Sequence, residues 1–129
     1  MSTRLTSHES VPVARRGSEK QLRMHSGELP EGGMRRVDLQ GRLVALARVE
    51  GQVFAFADTC SHERASLSQG YLDGYTVECP LHGALFDVRD GRALSLPATA
   101  GVETFQVREE RGELLLEAAV RPSKESIDE

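Results

Sequence analysis

Apolar residues along this chain fall in short runs separated by glycine, proline and charged breaks, with no long apolar stripe at helical spacing. Runs that are bounded in this way are typical of antiparallel strands joined by tight turns. The predicted strands are MRRVDL (34–39), RLVALARV (42–49), VFAFA (53–57), YTVEC (75–79), ALFDV (84–88), ETFQVRE (103–109) and ELLLEA (113–118). Residues 42–49 also suit a short helix, but Val44, Val49 and the flanking breaks favour a strand.

This spacing of strands predicts one all-β domain, a small antiparallel sandwich or barrel, within the 129 residues of the chain. Residues 1–20 and 121–129 are polar and aperiodic, which predicts an N-terminal and a C-terminal tail around a domain at 21–120. We find no internal repeat and no low-complexity tract.

Composition limits the cellular compartment in which we expect the protein and the class of partner that it can bind. No apolar run is long enough for a membrane span, and residues 1–20 carry arginines without the apolar core of a secretory signal. We therefore expect a cytoplasmic protein, in which a disulfide seldom persists. Residues 25–129 contain 11 basic and 18 acidic side chains, and an acidic body disfavours binding to nucleic acid. The same charge suits either attraction to a basic protein surface or plain solubility.

The two cysteines carry the strongest chemical signal. Cys60 is followed by Ser61 and His62, and Cys79 is followed by Pro80, Leu81 and His82, although the chain has only four histidines. Chance would place a histidine this close behind both cysteines about once in a hundred such sequences. Both pairs fall at predicted strand ends, in loops, where functional residues commonly lie.

Thiolate and imidazole ligands admit zinc, copper and iron–sulfur centres. A structural zinc site accepts two cysteines and two histidines, but zinc sites more often pair cysteine with cysteine at short spacing. Here each loop offers one thiolate and one imidazole, which favours a two-iron cluster with both thiolates on one iron and both imidazoles on the other. A zinc-stabilised interaction module remains the alternative from another functional class.

The segments CSH (60–62) and CPLHGALFDVRDGRALSLPA (79–98) resemble the Rieske [2Fe–2S] signature, in which two histidines replace two cysteines. The resemblance covers about residues 21–118 and is strongest to the Rieske-type ferredoxins of bacterial aromatic-ring-hydroxylating dioxygenase systems. It implies a sandwich of three antiparallel sheets with a cluster-binding subdomain at about 58–97. It also implies one [2Fe–2S] cluster per chain, ligated by Cys60 and Cys79 on the buried iron and His62 and His82 on the outer iron. The loop with Pro97 would cover the cluster.

Two differences separate this chain from the respiratory-complex branch of the family that it resembles. That branch braces its loops with a disulfide at the positions of Ala65 and Leu81, which cannot form one. It also has a serine and a tyrosine that donate hydrogen bonds to the cluster, at the positions of Ala84 and Phe86, neither of which can donate. Since such bonds stabilise the extra electron, we expect a reduction potential near the bottom of the Rieske range of about −150 to +300 mV. We expect Gly83 to let the backbone approach the cluster.

The resemblance implies an electron carrier rather than an enzyme. The chain has no G-x-G-x-x-G dinucleotide motif, and His8 and His25 offer no recognisable spacing for a mononuclear iron. The implied partners are a flavin-dependent ferredoxin reductase and a terminal oxygenase, docked transiently on a monomer, with Glu63, Arg64 and Gln69 near the contact. Within the same fold, the small subunit of assimilatory nitrite reductase is the alternative.

Overall fold

The computed structural model describes residues 21–61, 64–81, 83–96, 98 and 100–121. This part of the chain contains strands and two short 3-10 helices, at Ser26–Glu28 and Leu67–Gln69, which confirms the all-β prediction. Its strands are β1 (Gln21–His25), β2 (Met34–Leu39), β3 (Arg42–Val49), β4 (Gln52–Ala57), β5 (Tyr71–Asp73), β6 (Thr76–Glu78), β7 (Leu85–Asp87), β8 (Thr104–Glu110) and β9 (Glu113–Arg121). Among these described residues, neither helix is long or apolar enough to span a bilayer.

Six strands form one antiparallel sheet in the order β1-β9-β8-β4-β3-β2, and β5-β6-β7 form a second. Strands β4 and β8 pair at only two positions, Ala55 with Phe105 and Phe56 with Thr104. This narrow join divides the large sheet into two halves, β1-β9-β8 and β4-β3-β2. The three sheets implied by the resemblance are therefore two joined halves and the small sheet.

The main core consists of side chains from both halves of the large sheet. It contains Leu22, Met24, Leu29, Val37, Leu39, Val44, Leu46, Ala55, Phe105, Leu114 and Leu116. Their spacing of two residues within β1, β2, β3 and β9 places them on one face of each strand. Full burial of a leucine or valine stabilises the fold by about 1.5–3 kcal/mol, so burial in this sandwich contributes substantially to stability.

A second apolar cluster packs on the opposite face of β3. Val44 and Leu46 face the sandwich core, whereas Ala45 and Ala47 contact the cluster that contains Val77, Phe86 and both cysteines. Strand β3 is consequently buried on both faces, and both sets of side chains are apolar. This double burial explains why its sequence has no alternation and also suits a short helix.

The seven predicted strands are confirmed with end shifts of a few residues, and β1 and β5 were missed. Strand β5 has only three residues, YLD, so its sequence has too few positions to show a period. Strand β9 extends to Arg121 beyond a register shift between Leu116 and Val120, so the predicted C-terminal tail begins one residue too early. The predicted tail at residues 1–20 lies outside the described residues.

Arg48 of β3 ties the two halves of the large sheet together beyond their narrow join. Its guanidinium donates to both carboxylate oxygens of Glu109 on β8 at 3.0 Å, and its Nε donates to the carbonyl of Leu29 at 2.6 Å. The hydrogen bonds from Arg48 hold the pKa of Glu109 below its usual value. A bidentate pair of this kind fixes orientation as well as distance.

Candidate metal centre

The two cysteines begin two hairpins with the same closure. The Cys60 N–H donates to the carbonyl of Ala65 at 2.9 Å, and the Cys79 N–H donates to the carbonyl of Ala84 at 2.8 Å. Each hairpin thus runs six residues from cysteine to alanine, CSHERA in the first and CPLHGA in the second. One step further out, Thr59 bridges Ser66 and Glu78 pairs with Leu85. The chain therefore presents its two thiols from equivalent backbone positions.

Both cysteines are buried, with 4% of Cys60 and 1% of Cys79 exposed. They belong to the same apolar cluster as Ala84, Phe86 and Ala98. Thiolates in such surroundings are unfavourable unless a cation compensates their charge, so this donor pair fits a bound metal centre.

Three of the predicted site residues, His62, His82 and Pro97, lie outside the described residues. The described residues alone contain no group of three or more histidine, cysteine or acidic side chains that suits a metal ion. The predicted histidines are therefore proposed ligands. In the sequence, His62 falls between Cys60 and Ala65, and His82 falls between Cys79 and Ala84.

The second hairpin contains three further predicted site residues, Gly83, Ala84 and Phe86. Gly83 has φ +76°, a left-handed conformation that favours glycine. A Cβ there would meet the Glu78 carboxylate at 3.4 Å, an ordinary contact, so among the described residues conformation rather than crowding requires this glycine. Ala84 and Phe86 are completely buried in the cysteine cluster, as expected of residues that line a centre.

Gly70 is a site residue that the sequence did not reveal. A Cβ at this position would lie 1.9 Å from the carbonyl oxygen of Glu78, the residue before Cys79. Gly70 also ends the 3-10 helix that follows the first hairpin. The segment after the first hairpin and the strand before the second hairpin are therefore in contact at Gly70 and Glu78. A glycine between Gln69 and Tyr71 reads as an ordinary turn residue, because nothing in the sequence signals a contact with a residue eight positions away.

The sequence also predicts that five large side chains pack beneath the loops, namely Phe54, Phe56, Leu67, Tyr71 and Leu72, and the structure divides them into two groups. Phe56 and Leu67 are fully buried, and Phe54 and Leu72 pack against the cysteine cluster, which confirms them. Tyr71 is 64% exposed, so its interpretation as a core aromatic is wrong. It lies on β5, the edge strand of a small sheet, where a side chain faces solvent unless another element covers it.

A polar cluster fixes the small sheet to the large one. The Tyr75 hydroxyl donates to Glu50 at 2.8 Å, while the Arg89 guanidinium lies 4.2 Å from the centre of the Tyr75 ring. Arg89 also donates to both carboxylate oxygens of Asp87. Burial raises the pKa of Asp87, but hydrogen bonds from Arg89 outweigh it and lower the pKa below its usual value. This cluster and Phe54, which contacts Tyr75 edge-on, orient the hairpins on the sheet.

Comparison with known proteins decides the family. Residues 19–106 match the model of the Rieske [2Fe-2S] domain. The chain belongs to the Rieske [2Fe-2S] domain family. It is 40% identical over 90 residues to the ferredoxin component of the naphthalene 1,2-dioxygenase system of Pseudomonas aeruginosa, covering 70% of this chain and 86% of the relative.

Two further relatives agree. The chain is 52% identical over 81 residues to the 3-phenylpropionate/cinnamic acid dioxygenase ferredoxin subunit of Photorhabdus laumondii subsp. laumondii, covering 62% of this chain and 76% of the relative. Among solved structures, a chain in the complex of reduced oxygenase and oxidized ferredoxin in carbazole 1,9a-dioxygenase has a TM-score of 0.74 and 36% identity. That match covers 82% of this chain and 98% of the other.

The Rieske domain carries one [2Fe–2S] cluster per chain, and its relatives are electron-transfer components rather than the catalytic subunits. The prediction of a cluster-bearing electron carrier is thus confirmed, and the zinc alternative is set aside. The predicted extent of the cluster-binding subdomain, about 58–97, remains a prediction.

Replacement of Gly70 by alanine should destabilise the centre. The φ of Gly70, −89°, suits alanine, but its ψ of −143° lies outside the regions that L-residues favour, so the cost combines backbone strain with the overlap with Glu78. We expect a loss of about 3 kcal/mol of unfolding free energy and faster loss of iron, measured by urea unfolding and by cluster absorbance over time.

Gly27→Ala is the matched control, because a Cβ there meets nothing within 4 Å and Gly27 has no positive φ. Equal stability of the Gly70 and Gly27 variants would contradict the close approach between Gly70 and Glu78.

Proposed function

We propose that this chain is the cytoplasmic ferredoxin of a ring-hydroxylating dioxygenase system, which accepts single electrons from a flavin-dependent reductase and delivers them to a terminal oxygenase. Cys60 and Cys79 hold the buried iron and His62 and His82 hold the outer iron. When bound, the [2Fe–2S] cluster supplies a one-electron donor and acceptor. The supporting observation is that two buried cysteines start hairpins of identical closure, each with a histidine in its sequence between cysteine and alanine.

The choice of partner rests on relatives and on exposed apolar residues near the proposed ligands. Ferredoxin relatives belong to the naphthalene and phenylpropionate systems, and a similar chain is found in a complex with an oxygenase. Leu81, beside His82, is 57% exposed, and Leu96, beside Pro97, is 69% exposed. Large apolar side chains in solvent suit a docking surface. Of the polar residues predicted to flank this contact, Arg64 and Gln69 are exposed, and Glu63 lies outside the described residues.

The backbone around the cysteines is suited to electron transfer because it leaves little freedom to rearrange. Both hairpins are closed by backbone hydrogen bonds, and the Gly83 N–H donates to the Cys79 carbonyl at 3.1 Å. Ser61 donates from its hydroxyl to the carbonyl of Ala100, which ties the first hairpin to the segment after Pro97. A site held from three segments changes little in geometry when its charge changes by one.

The ligand assignment predicts loss of the cluster when any one of the four residues changes. Cys60→Ser, Cys79→Ser, His62→Ala and His82→Ala should each lose most of the iron and sulfide. Chemical analysis and the rhombic paramagnetic resonance of reduced protein, prepared anaerobically, measure this. His25→Ala, on β1, is the control and should keep two irons and two sulfides per chain. A variant that keeps both after losing a proposed ligand would remove that residue from the ligand set.

Because Ala84 and Phe86 are buried near the proposed cluster, we can predict how the reduction potential responds to hydroxyl donors at these two positions. Ala84→Ser and Phe86→Tyr should each raise the reduction potential from near the bottom of the range of about −150 to +300 mV, because a hydroxyl donor stabilises the reduced state. Protein-film voltammetry measures the shift. Ala47→Ser, in the same apolar cluster but on β3, should leave the potential unchanged. A wild-type potential in the upper half of the range would contradict the argument.

If the terminal oxygenase docks on the exposed Leu81 and Leu96, Leu96→Ser should weaken that docking. Removing this side chain should weaken binding to the terminal oxygenase roughly tenfold, as a contact worth about 1.4 kcal/mol would. Stopped-flow reduction of the oxygenase by the pre-reduced protein measures it, and the potential should not change. Leu43→Ser, an exposed leucine on β3, is the control. Equal transfer rates for both variants would exclude Leu96 from the docking surface.

A further inference from the structure

Asp58, two residues before Cys60, is buried more completely than any other acidic side chain that the structure describes. Only 1% of it is exposed, and within the described ranges it forms no ion pair. The other buried carboxylate, Asp87, lies against Arg89. Burying a carboxylate without a cation is costly, so its persistence at this position requires compensation from hydrogen bonds.

Asp58 receives that compensation from the return leg of the first hairpin. Its Oδ2 accepts from the Ser66 hydroxyl at 2.6 Å, and its Oδ1 accepts from the Ser68 N–H at 2.8 Å. Its carbonyl accepts from the Leu67 N–H at 2.7 Å, and its own N–H donates to Leu43 on β3 at 3.0 Å. One residue therefore joins the end of β4, the return leg of the hairpin and the large sheet.

In the first hairpin, the Asp58 carboxylate takes the place of the strand pairing that supports the second hairpin. The second hairpin stands on a ladder of three pairs between β6 and β7, in which Val77, two residues before Cys79, faces Phe86. The first hairpin has the single bridge between Thr59 and Ser66 in this place. Asp58 occupies the position equivalent to Val77. The side chain of Asp58 thus supplies, through Ser66 and Ser68, the fixation that the sheet supplies to the second hairpin.

We propose that Asp58 is a positioning residue for the first ligand hairpin and that its buried charge lowers the reduction potential of the cluster. This inference rests on the proposed function, because it takes Cys60 as a ligand. Reduction adds one negative charge to the centre, and a carboxylate two residues from Cys60, in surroundings of low polarity, opposes that charge. Asp58 therefore acts in the same direction as the missing donors at Ala84 and Phe86.

Asp58→Asn separates the charge from the geometry. The amide oxygen can accept from the Ser68 N–H, and the amide nitrogen can donate to the Ser66 hydroxyl, which accepts as well as donates. We expect full iron content, an unchanged paramagnetic resonance and an upward shift of the midpoint potential. Glu113→Gln, an exposed carboxylate on β9, should leave the potential unchanged.

Ser66→Ala tests the positioning role while the charge stays. We expect faster loss of cluster absorbance on warming and no upward shift in potential, since the carboxylate loses a donor and keeps its charge. An upward shift in Ser66→Ala would overturn the charge assignment even where Asp58→Asn fails to hold iron. Unchanged cluster loss in Ser66→Ala would overturn the positioning role.

A fully loaded Asp58→Asn protein with the wild-type potential would overturn the influence of the charge. That result leaves the ligand assignment intact, because iron and sulfide would still be present. Failure of the ligand assignment itself appears elsewhere, as retention of the cluster in Cys60→Ser.

Discussion

The structure depends on one constraint, which is that two buried cysteines from separate hairpins are held in one apolar cluster. The fold meets it by closing two hairpins with the same cysteine-to-alanine hydrogen bond, at 2.9 Å for Cys60 and 2.8 Å for Cys79. This closure uses backbone groups alone and does not depend on the sulfur atoms. The separation of the cysteines then depends on how firmly the two hairpins are fixed to a common support.

That support is the face of β3 that points away from the sandwich core. Ala45 and Ala47 pack against the cluster that holds the cysteines, while Val44 and Leu46 on the other face anchor the strand in the main core. Small side chains on the outer face allow the second layer to lie close to the strand. A strand that is packed on both faces moves little, so the cysteine cluster that packs against it is also held in place.

Much of this arrangement could be predicted from the sequence, and the features that could not be predicted were missed for physical reasons. Seven strands followed from apolar runs and breaks, and the spacing of Cys60 and Cys79 from histidines predicted the cluster class that the family comparison confirms. Strand β5 was missed because three residues show no period. The exposure of Tyr71 was misjudged because an aromatic residue near a loop does not reveal whether another element covers it.

The structural roles of Gly70 and Asp58 also could not be predicted from the sequence, for a different reason. Their roles depend on contacts eight and ten residues away, from Gly70 to Glu78 and from Asp58 to Ser68, and both residue types are common in turns. Only the folded chain distinguishes a glycine that faces open solvent from one that lies against a carbonyl, or a solvated aspartate from a buried one.

The asymmetry between the hairpins also indicates where the properties of the centre can vary without loss of the fold. Changes in the ladder beneath Cys79 alter strand pairing, so they affect stability and geometry together. The first hairpin is held largely by side chains, which can be exchanged for others of similar shape and different charge. With the ligands proposed above, an oxidised centre would be neutral and one electron would make it −1, so a single nearby charge would be a large perturbation. The first hairpin is therefore the part of this scaffold in which charge can be adjusted most independently of structure.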